Sequence, residues 1–392
     1  MKLAIVSPVL PPSQSGQAIV LYRLLDGADP DRYILISPTN YNDALDGIDE
    51  CSQKLPGKYY CIPHSHHRFV HWLLKMNYYR IGLINEIYLK PRINQLVKIF
   101  QTEKCTHVIA CTADLFDSYC AYMASKKVNI PFFLYAFDDY IQQWTNKYDH
   151  YFAEKIGPSI IKNAKEIIVP NNHLKSFYDT NYGVNAKTIH NPVNLSDYTG
   201  VSLPELVYSF ESEINIVYTG AIYGAQTDAL NRLLDAISKT KDKNIRLYLF
   251  SPNPWEPVKY DEFVIYHNSL PLSQMADVQM SAHILFLPLA FKSEYPQSLI
   301  NTSSPGKMGE YLASGRPILV HAPQDSFVSR YFKKYKCGSV VDSVDVNALT
   351  KEIERIIRDK DYRQGIMKNA RMCAMIDFDL NKIKEQFFKI FS

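Results

Sequence analysis

The 392-residue sequence lacks several features that mark other classes of protein. Its seven cysteines include no Cys-x-x-Cys pair, so we expect free thiols in a reducing compartment and no zinc site. No run approaches the roughly 20 apolar residues of a membrane-spanning helix, and the apolar stretch at residues 3–6 is too short for a signal peptide. A net charge of +3 excludes a protein whose whole surface neutralises nucleic acid.

The charge is unevenly distributed along the chain. Residues 54–98 contain eight Lys or Arg against the single acid Glu86, a balance of +7, which leaves 3 − 7 = −4 for the rest. Because residues 64–92 are also rich in tyrosine and include Trp72, they predict a surface that docks on anionic membrane lipids. The alternative is a pair of helices that pack on a sheet and expose a basic edge. No nucleic-acid-binding motif accompanies the charge, so nucleic acid is not expected as a partner.

Four histidines in the same segment raise the question of a metal site. They are His64, His66, His67 and His71. No Asp or Cys follows them at the tight spacing of metal ligands, apart from Cys61 before them. We therefore predict that the protein binds no metal.

Short apolar runs alternate with helical stretches, which predicts parallel sheets flanked by helices. The first series of strands is expected at 3–6, 33–36, 107–111, 132–135, 167–169 and 188–189. Residues 192–213 break the pattern and are predicted to be a linker. The second series is expected at 214–218, 245–250, 263–266, 284–287, 318–320 and 339–341. The fold class is therefore α/β, with two Rossmann-like doubly wound domains facing a cleft.

The predicted domains cover residues 1–195 and 196–375. The second sheet is complete by about residue 341, yet about fifty residues remain. Leu380, Ile383, Phe387 and Ile390 recur at helical spacing, and such an apolar stripe needs a surface to cover it. We expect residues 376–392 to return to the first domain.

The strongest local signal lies between Thr302 and Pro317. Ser304 and Pro305 are suited to the N-cap and first position of a helix, and Gly315 to a left-handed C-terminal cap. Lys307 in the first turn and Glu310 one turn later are placed to hold a diphosphate and a ribose diol. The alternative is a capped amphipathic helix with a surface Lys–Glu pair.

Other candidates stand where predicted strands end. Asp138 and Asp139 follow the strand at 132–135, where one of them can orient an acceptor hydroxyl or act as a base. The alternative for Asp139 is that it caps the next helix. Gly16 and Gly220 let the backbone approach a phosphate closely, or are simply turn glycines.

The motif Ser304-Pro305-x-Lys307-x-x-Glu310-Tyr311-Leu312-Ala313-x-Gly315-x-Pro317 resembles the donor-nucleotide helix of GT-B-fold glycosyltransferases. The likeness is to the family-4-like enzymes of bacterial surface-polysaccharide synthesis. Weaker motifs match in order along most of the chain: Ile5-Val6-Ser7-Pro8 with Ser15-Gly16, Val169-Pro170-Asn171-Asn172, Ile189-His190-Asn191-Pro192-Val193-Asn194, Val217-Tyr218-Thr219-Gly220, Leu270-Pro271 and Ala282-His283-Ile284-Leu285-Phe286-Leu287-Pro288.

This resemblance implies a cytoplasmic enzyme that transfers a sugar, with retention, from a nucleotide-sugar to a glycan or lipid-linked acceptor, at the inner face of the membrane. The first domain would take the acceptor and the second the donor, with no cofactor, since the nucleotide-sugar is a substrate. The implied catalytic residues are Asp138, Lys307 and Glu310. The implied substrate-binding residues are Gly16, Asp139, Asn191, Gly220, Ser303, Ser304 and Gly306.

The sequence departs from the family pattern in two places. The family often has a second glutamate shortly before the donor-nucleotide helix, and this chain has Ser303 there and no glutamate. Many members carry a basic pair after the turn at Gly220, where this chain has Ile222 and Ala225 and no basic residue before Arg232. Two alternatives therefore stay open: a sugar-nucleotide epimerase of the same fold, and a catalytically silent partner subunit.

Overall fold

The structure, a computed structural model, describes residues 1–42, 54–63, 83–199, 206–208, 212–240, 244–252, 255 and 261–392. The chain divides into two compact units. The first comprises Met1–His190 together with Ile383–Ser392, and the second is Asn191–Lys382. The second unit therefore includes residues 191–195 and 376–382, which the predicted boundaries assign to the first domain.

The first unit is built on a seven-stranded parallel sheet in the order β3-β2-β1-β4-β5-β6-β7. Its strands are β1 (Leu3–Val6), β2 (Tyr33–Ser37), β3 (Lys58–Cys61), β4 (His107–Cys111), β5 (Phe132–Tyr135), β6 (Glu166–Val169) and β7 (Lys187–Thr188). Its helices are α1 (Gly16–Leu25), α2 (Leu83–Thr102), α3 (Leu115–Val128), α4 (Lys147–Asn163) and α5 (Asn172–Tyr182). Every residue of β1, β2 and β5 is buried, as expected for strands covered on both faces.

The second unit has a six-stranded parallel sheet in the order β10-β9-β8-β11-β12-β13. Its strands are β8 (Ile214–Thr219), β9 (Ile245–Phe250), β10 (Val264–His267), β11 (Ile284–Pro288), β12 (Ile318–His321) and β13 (Ser339–Val341). Its helices are α6 (Thr227–Lys239), α7 (Leu272–Met280), α8 (Gln297–Thr302), α9 (Lys307–Ala313), α10 (Phe327–Tyr335), α11 (Val346–Arg358) and α12 (Lys360–Cys373).

Two parallel sheets flanked by helices confirm the predicted α/β fold class. In each sheet the strand order reverses next to the first strand of the unit, between β1 and β4 and between β8 and β11. In sheets of this kind, ligands bind beyond the carboxyl ends of the strands at such a reversal. The residues that follow β1 and β8 therefore occupy the favoured ligand positions of the two units.

Strand β3 lies inside the basic segment and was not predicted. Part of the positive charge of this segment is neutralised within the fold by Glu103. Its carboxylate accepts hydrogen bonds from Lys2 (2.6 Å), Tyr60 (2.5 Å) and Lys58 (2.9 Å). These bonds, that from Lys2 foremost, lower the pKa of Glu103 to about 2. Arg92 is also buried, where it pairs with Asp117. The prediction that a lipid surface extends to Arg92 is therefore wrong at that residue.

Residues 64–82 of the predicted membrane segment lie outside the described residues, while Tyr88 and Lys90 fall within α2, where Lys90 is exposed. The four candidate metal-binding histidines and Trp72 are among residues 64–82. Across the ranges that the structure does describe, none of the helices combines the length and the hydropathy required to cross a bilayer.

The predicted linker at 192–213 is partly wrong. Val193 and Tyr198 are buried in the core of the second unit, and a 3₁₀ turn covers Leu195–Tyr198. The Val193 amide donates to the Phe378 carbonyl (2.8 Å), and the Leu380 amide donates to the Val193 carbonyl (3.0 Å). This short stretch is therefore fixed by backbone pairing, while 200–205 and 209–211 lie outside the described residues.

The last helix, α13 (Leu380–Lys389), contributes to the core of the first unit. Ile383, Phe387 and Phe391 are buried among the side chains of its sheet. The ring centroid of Phe391 lies 4.8 Å from that of Phe133, in an edge-to-face arrangement that aromatic pairs favour.

Candidate functional site

The site of the second unit begins at the carboxyl end of β8. Gly220 follows the strand with φ +110°, a conformation that L side chains rarely adopt, and its amide donates to the Phe250 carbonyl (2.8 Å). A Cβ at Gly220 would also lie 3.0 Å from the Nζ atom of Lys307. The backbone conformation therefore favours glycine here, and a Cβ would also require the Lys307 side chain to shift by a few tenths of an ångström.

Helix α9 brings Lys307 to this turn. The helix begins at Lys307 with Gly306 as its N-cap, so the prediction that Ser304 caps it is wrong. The Ser304 hydroxyl is buried and has no hydrogen-bond partner among the described residues. The predicted left-handed cap at the other end is confirmed, because Gly315 has φ +72°.

Lys307 is the cation of the site. Its Nζ atom lies 3.8 Å from the ring centroid of Tyr218, whose hydroxyl donates to the Ala221 carbonyl (2.6 Å). Within the part of the chain that the structure describes, Nζ has no hydrogen-bond acceptor and no ion-pair partner. Burial lowers the pKa of Lys307 to about 7, although the charge of Glu310 raises it. An anion placed at Nζ would stabilise the protonated amine and so raise the pKa of Lys307 again.

Glu310, one turn further along α9, is held by a buried hydrogen-bonded chain. Gln279 donates from Nε2 to Glu310 Oε2 (2.9 Å), and the Tyr198 hydroxyl donates to Gln279 Oε1 (2.6 Å). Neither Gln279 nor Tyr198 is among the site residues predicted from the sequence. A signal was present, because Gln279 stands among the buried positions Ala276 and Met280 of α7, where an apolar residue is expected.

A second contact fixes α9 against β8. The Thr219 amide donates to the Tyr311 hydroxyl (2.9 Å), and both residues are buried. Since Tyr311 directly follows Glu310, this bond also restrains the part of the helix that carries the carboxylate. The position of Glu310 is thus set by both the strand and α7.

The stretch before α9 contains the remaining predicted binding residues of the second unit. Asn191 donates from Nδ2 to the Ser304 carbonyl (3.0 Å), and its buried Oδ1 atom has no hydrogen-bond partner among the described residues. Ser303 is half-buried at the end of α8. Gly306 has an ordinary φ of −56°, and a Cβ there would meet no atom within 4 Å. Local conformation therefore does not require glycine at 306.

The basic pair that the family often has after the glycine turn is absent. Ile222 and Ala225 are buried, and Arg232 pairs with Asp228 at 3.1 Å. Arg232 is thus already engaged within α6. In the described part of this site, the charge available for a phosphate comes from Lys307.

In the first unit, Asp138 and Asp139 follow β5 but differ in their surroundings. Asp139 is buried, and its carboxylate accepts hydrogen bonds from the amides of Ile141 (3.0 Å) and Gln142 (2.6 Å) and from the Tyr182 hydroxyl (2.8 Å). It stabilises the turn that follows, as in the capping alternative, although the cap is on a turn and not on a helix.

Asp138 is half-buried, and its carboxylate has no hydrogen bond or ion pair among the residues described. Burial and the neighbouring charge of Asp139 raise its pKa to about 6. A carboxylate with this pKa is ionised at neutral pH and can still accept a proton, which suits a general base.

Gly16 is the first residue of α1, after the cap Ser15. A Cβ at Gly16 would meet no atom within 4 Å, so packing does not require glycine there. Gly16, Asp138 and Asp139 belong to the first unit, and all the other predicted site residues belong to the second.

Comparisons with known proteins bear on the fold and on one segment of the second unit. Residues 213–359 match the family model described as glycosyl transferases group 1, a segment that includes Gly220, Lys307 and Glu310. A search of curated proteins returned no match. Among solved structures, a sucrose-phosphate synthase from Thermosynechococcus elongatus has a TM-score of 0.70 at 13% identity, covering 100% of this chain and 98% of that one.

Two further solved structures are similar over almost the whole chain. Anabaena HepE in complex with UDP-glucose has a TM-score of 0.67 at 12% identity, covering 99% of this chain and 98% of that one. A Listeria monocytogenes protein assigned as a UDP-N-acetylglucosamine 2-epimerase has a TM-score of 0.59 at 12% identity, covering 99% and 95%. The chain therefore has the fold of the GT-B glycosyltransferases, and its second unit contains a segment that matches glycosyl transferases group 1.

Proposed function

We propose that the protein is a glycosyltransferase that moves a sugar, with retention, from a nucleotide-sugar to a glycan or lipid-linked acceptor in bacterial surface-polysaccharide synthesis. The observation that carries the proposal is Lys307, a cation with a lowered pKa that lies against Gly220 and one turn from Glu310. The match of residues 213–359 to glycosyl transferases group 1 supports it. The reaction is proposed to need neither a cofactor nor a bound metal.

The second unit is proposed to hold the donor. As the bond between the anomeric carbon and the diphosphate breaks, negative charge grows on the leaving oxygen, and the Lys307 ammonium is placed to stabilise it. The Gly220 turn allows the phosphates to approach the backbone, and Glu310 accepts hydrogen bonds from the ribose. Asn191, Ser303, Ser304 and Gly306 are proposed to line the same donor site. Because HepE was solved with UDP-glucose, UDP is the first ligand to test.

The first unit is proposed to take the acceptor. Asp138 orients the acceptor hydroxyl, whose oxygen attacks the anomeric carbon on the face from which the diphosphate leaves, as retention requires, and is the candidate to receive the hydroxyl proton. The open space at Gly16 lies in the same unit, at the start of α1. Asp139 is proposed to act by holding the turn beside Asp138, since its oxygens already accept three hydrogen bonds.

Association with the membrane is a further part of the proposal. The basic and aromatic residues at 64–91 are proposed to dock on anionic lipid at the cytoplasmic face, where a lipid-linked acceptor would be found. Arg92 is left out of this surface because it is buried against Asp117.

Calorimetric titration of the full chain with UDP, GDP, CDP and ADP tests the donor site. We expect one diphosphate to bind and Lys307→Ala to weaken it by about 10- to 150-fold, as for loss of a charge-assisted hydrogen bond. The nucleoside should lose much less. Equal losses for diphosphate and nucleoside would show that Lys307 does not contact phosphate.

Product analysis with the matching nucleotide-sugars separates the alternatives. Sugar transfer that requires an acceptor supports the proposal. Conversion of the donor to an epimer without acceptor would identify an epimerase, and failure of every diphosphate to bind would favour a silent subunit.

A further inference from the structure

Gln279 is a fully buried amide whose orientation is fixed by its partners. A tyrosine hydroxyl donates to its Oε1 atom, and its Nε2 atom donates to a carboxylate oxygen, so the two ends of the amide are distinguished chemically. Nε2 also lies 3.4 Å from the Thr219 hydroxyl. Reversing the amide would set its oxygen against the carboxylate of Glu310, which is unfavourable in a buried site.

This arrangement acts on Glu310. Glu310 is only 7% exposed, so its carboxylate depends on protein donors more than on water for its hydrogen bonds. The bond from Gln279 therefore fixes the direction of the Glu310 Oε2 atom. Tyr198 supports this orientation indirectly. Its hydroxyl donates to Oε1 of Gln279, so the Nε2 end of the amide is the end that faces Glu310.

We propose that Gln279 and Tyr198 are positioning residues for ribose recognition: the buried chain from Tyr198 through Gln279 holds Glu310 in the orientation that accepts hydrogen bonds from the ribose hydroxyls of the donor nucleotide. This proposal rests on the proposed function, since it assumes a nucleotide at Glu310. It adds that discrimination between ribose and deoxyribose depends on two side chains that do not themselves contact the ligand.

The test compares the affinities of the full chain for UDP and 2′-deoxy-UDP. We expect the wild type to prefer UDP by about tenfold or more, because a site built to bond a hydroxyl rejects the analogue that lacks it. Gln279→Leu should lose most of this preference while its affinity for 2′-deoxy-UDP stays within about twofold. In Gln279→Leu the Tyr198 hydroxyl loses its acceptor, and the double variant with Tyr198→Phe removes that hydroxyl. The double variant should show the same loss of preference for UDP as Gln279→Leu.

The pH dependence of the preference for ribose in Gln279→Glu is a readout that would not change if Gln279 had a purely structural role. Two facing carboxylates share one proton at moderate pH, and that proton restores a hydrogen bond to Glu310. The preference for ribose should therefore be near the wild-type value at low pH and fall as the pH rises. The ratio of the two affinities removes the effect of Lys307, which acts on both ligands equally.

Ser281→Ala, at the exposed end of the same helix, is the control and should leave the ratio unchanged. Thermal melting of each variant shows whether it is folded. If Gln279→Leu does not fold, Tyr198→Phe alone tests the same chain with a smaller change, because it keeps the Gln279 amide. A wild type that prefers UDP, with variants that keep the same preference, would overturn this inference and leave the proposed function intact. A wild type that binds neither ligand would overturn both.

Discussion

Binding of a nucleoside diphosphate should depend on pH through Lys307. Because burial holds the pKa of Lys307 at about 7, the amine is about half protonated at pH 7 before the ligand binds. A diphosphate beside Nζ favours the ammonium and raises this pKa, so binding takes up a proton. Affinity must then fall as pH rises above 7, by linkage.

The size of the effect follows from the protonated fraction. With the pKa at about 7 in the unliganded protein and above 9 in the complex, the protonated fraction falls from about one half at pH 7.0 to about 0.03 at pH 8.5. The affinity should therefore fall about 16-fold over this range, which corresponds to about 1.6 kcal/mol. The phosphate itself contributes little, since its last ionisation lies near pH 6.

Isothermal titration with UDP at pH 7.0, 7.5, 8.0 and 8.5 measures this slope. Repeating the pH 8.0 titration in buffers of different ionisation enthalpy should show uptake of about 0.9 proton for each UDP bound. Lys307→Arg keeps its charge throughout the range and should give a flat profile. Lys307→Met should bind UDP weakly, and its affinity should also be independent of pH over this range.

Two results would refute this reasoning. One is a wild-type affinity that stays constant from pH 7.0 to 8.5, which would show that the amine is charged throughout. The other is a slope that persists in Lys307→Met, which would assign the titration to another group.

The other predictions concern stability, catalysis, membrane binding and the last helix. Since the unfolded chain holds a proton on Lys307 up to about pH 10.5 and the folded chain only to about 7, stability should rise with pH between these values. The unliganded Lys307→Met protein should melt higher than wild type at pH 7, and the difference should shrink towards pH 10. Asp138→Asn should lower kcat by at least about 100-fold without unfolding the protein, and wild-type kcat/KM should fall as pH drops below about 6; unchanged kinetics would exclude Asp138 as the base. Co-sedimentation with anionic vesicles should weaken with salt and with Lys75→Glu and Arg80→Glu, and salt-independent binding would exclude the lipid surface. Phe387→Ala should cost about 3–5 kcal/mol of the free energy of unfolding in urea, and a loss under 1 kcal/mol would show that α13 adds little to the core.

The parts of the fold that follow local periodicity could be predicted from the sequence. Strands such as β1 and β5 are continuous apolar runs because both faces are covered, and their bounds agree with the predicted ones, 3–6 and 132–135. Strand β3 was missed because its residues are exposed or half-buried and lie in a basic stretch, so neither an apolar run nor alternation marks it.

The site residues also divide into those marked by a local sequence pattern and those brought together only by the fold. Lys307 and Glu310 could be proposed because helical spacing places them on one face of α9. The contact between Tyr198 and Gln279 could not, because these two residues are 81 positions apart and meet only through the fold. The predicted cap at Ser304 failed for a related reason: cap propensity is a local rule, and here the helix starts two residues later and the serine side chain faces no helix amide.

The division of the first unit into Met1–His190 and Ile383–Ser392 has a consequence for biosynthesis. The apolar surface that Ile383, Phe387 and Phe391 cover is made early, but these three residues are synthesised only after the whole second unit. Synthesis of the roughly 200 intervening residues takes about 10–40 s at ordinary rates of translation. For that time, the nascent chain displays an uncovered apolar patch beside Phe133 and Tyr135, so production of active protein should depend on chaperones that shield it.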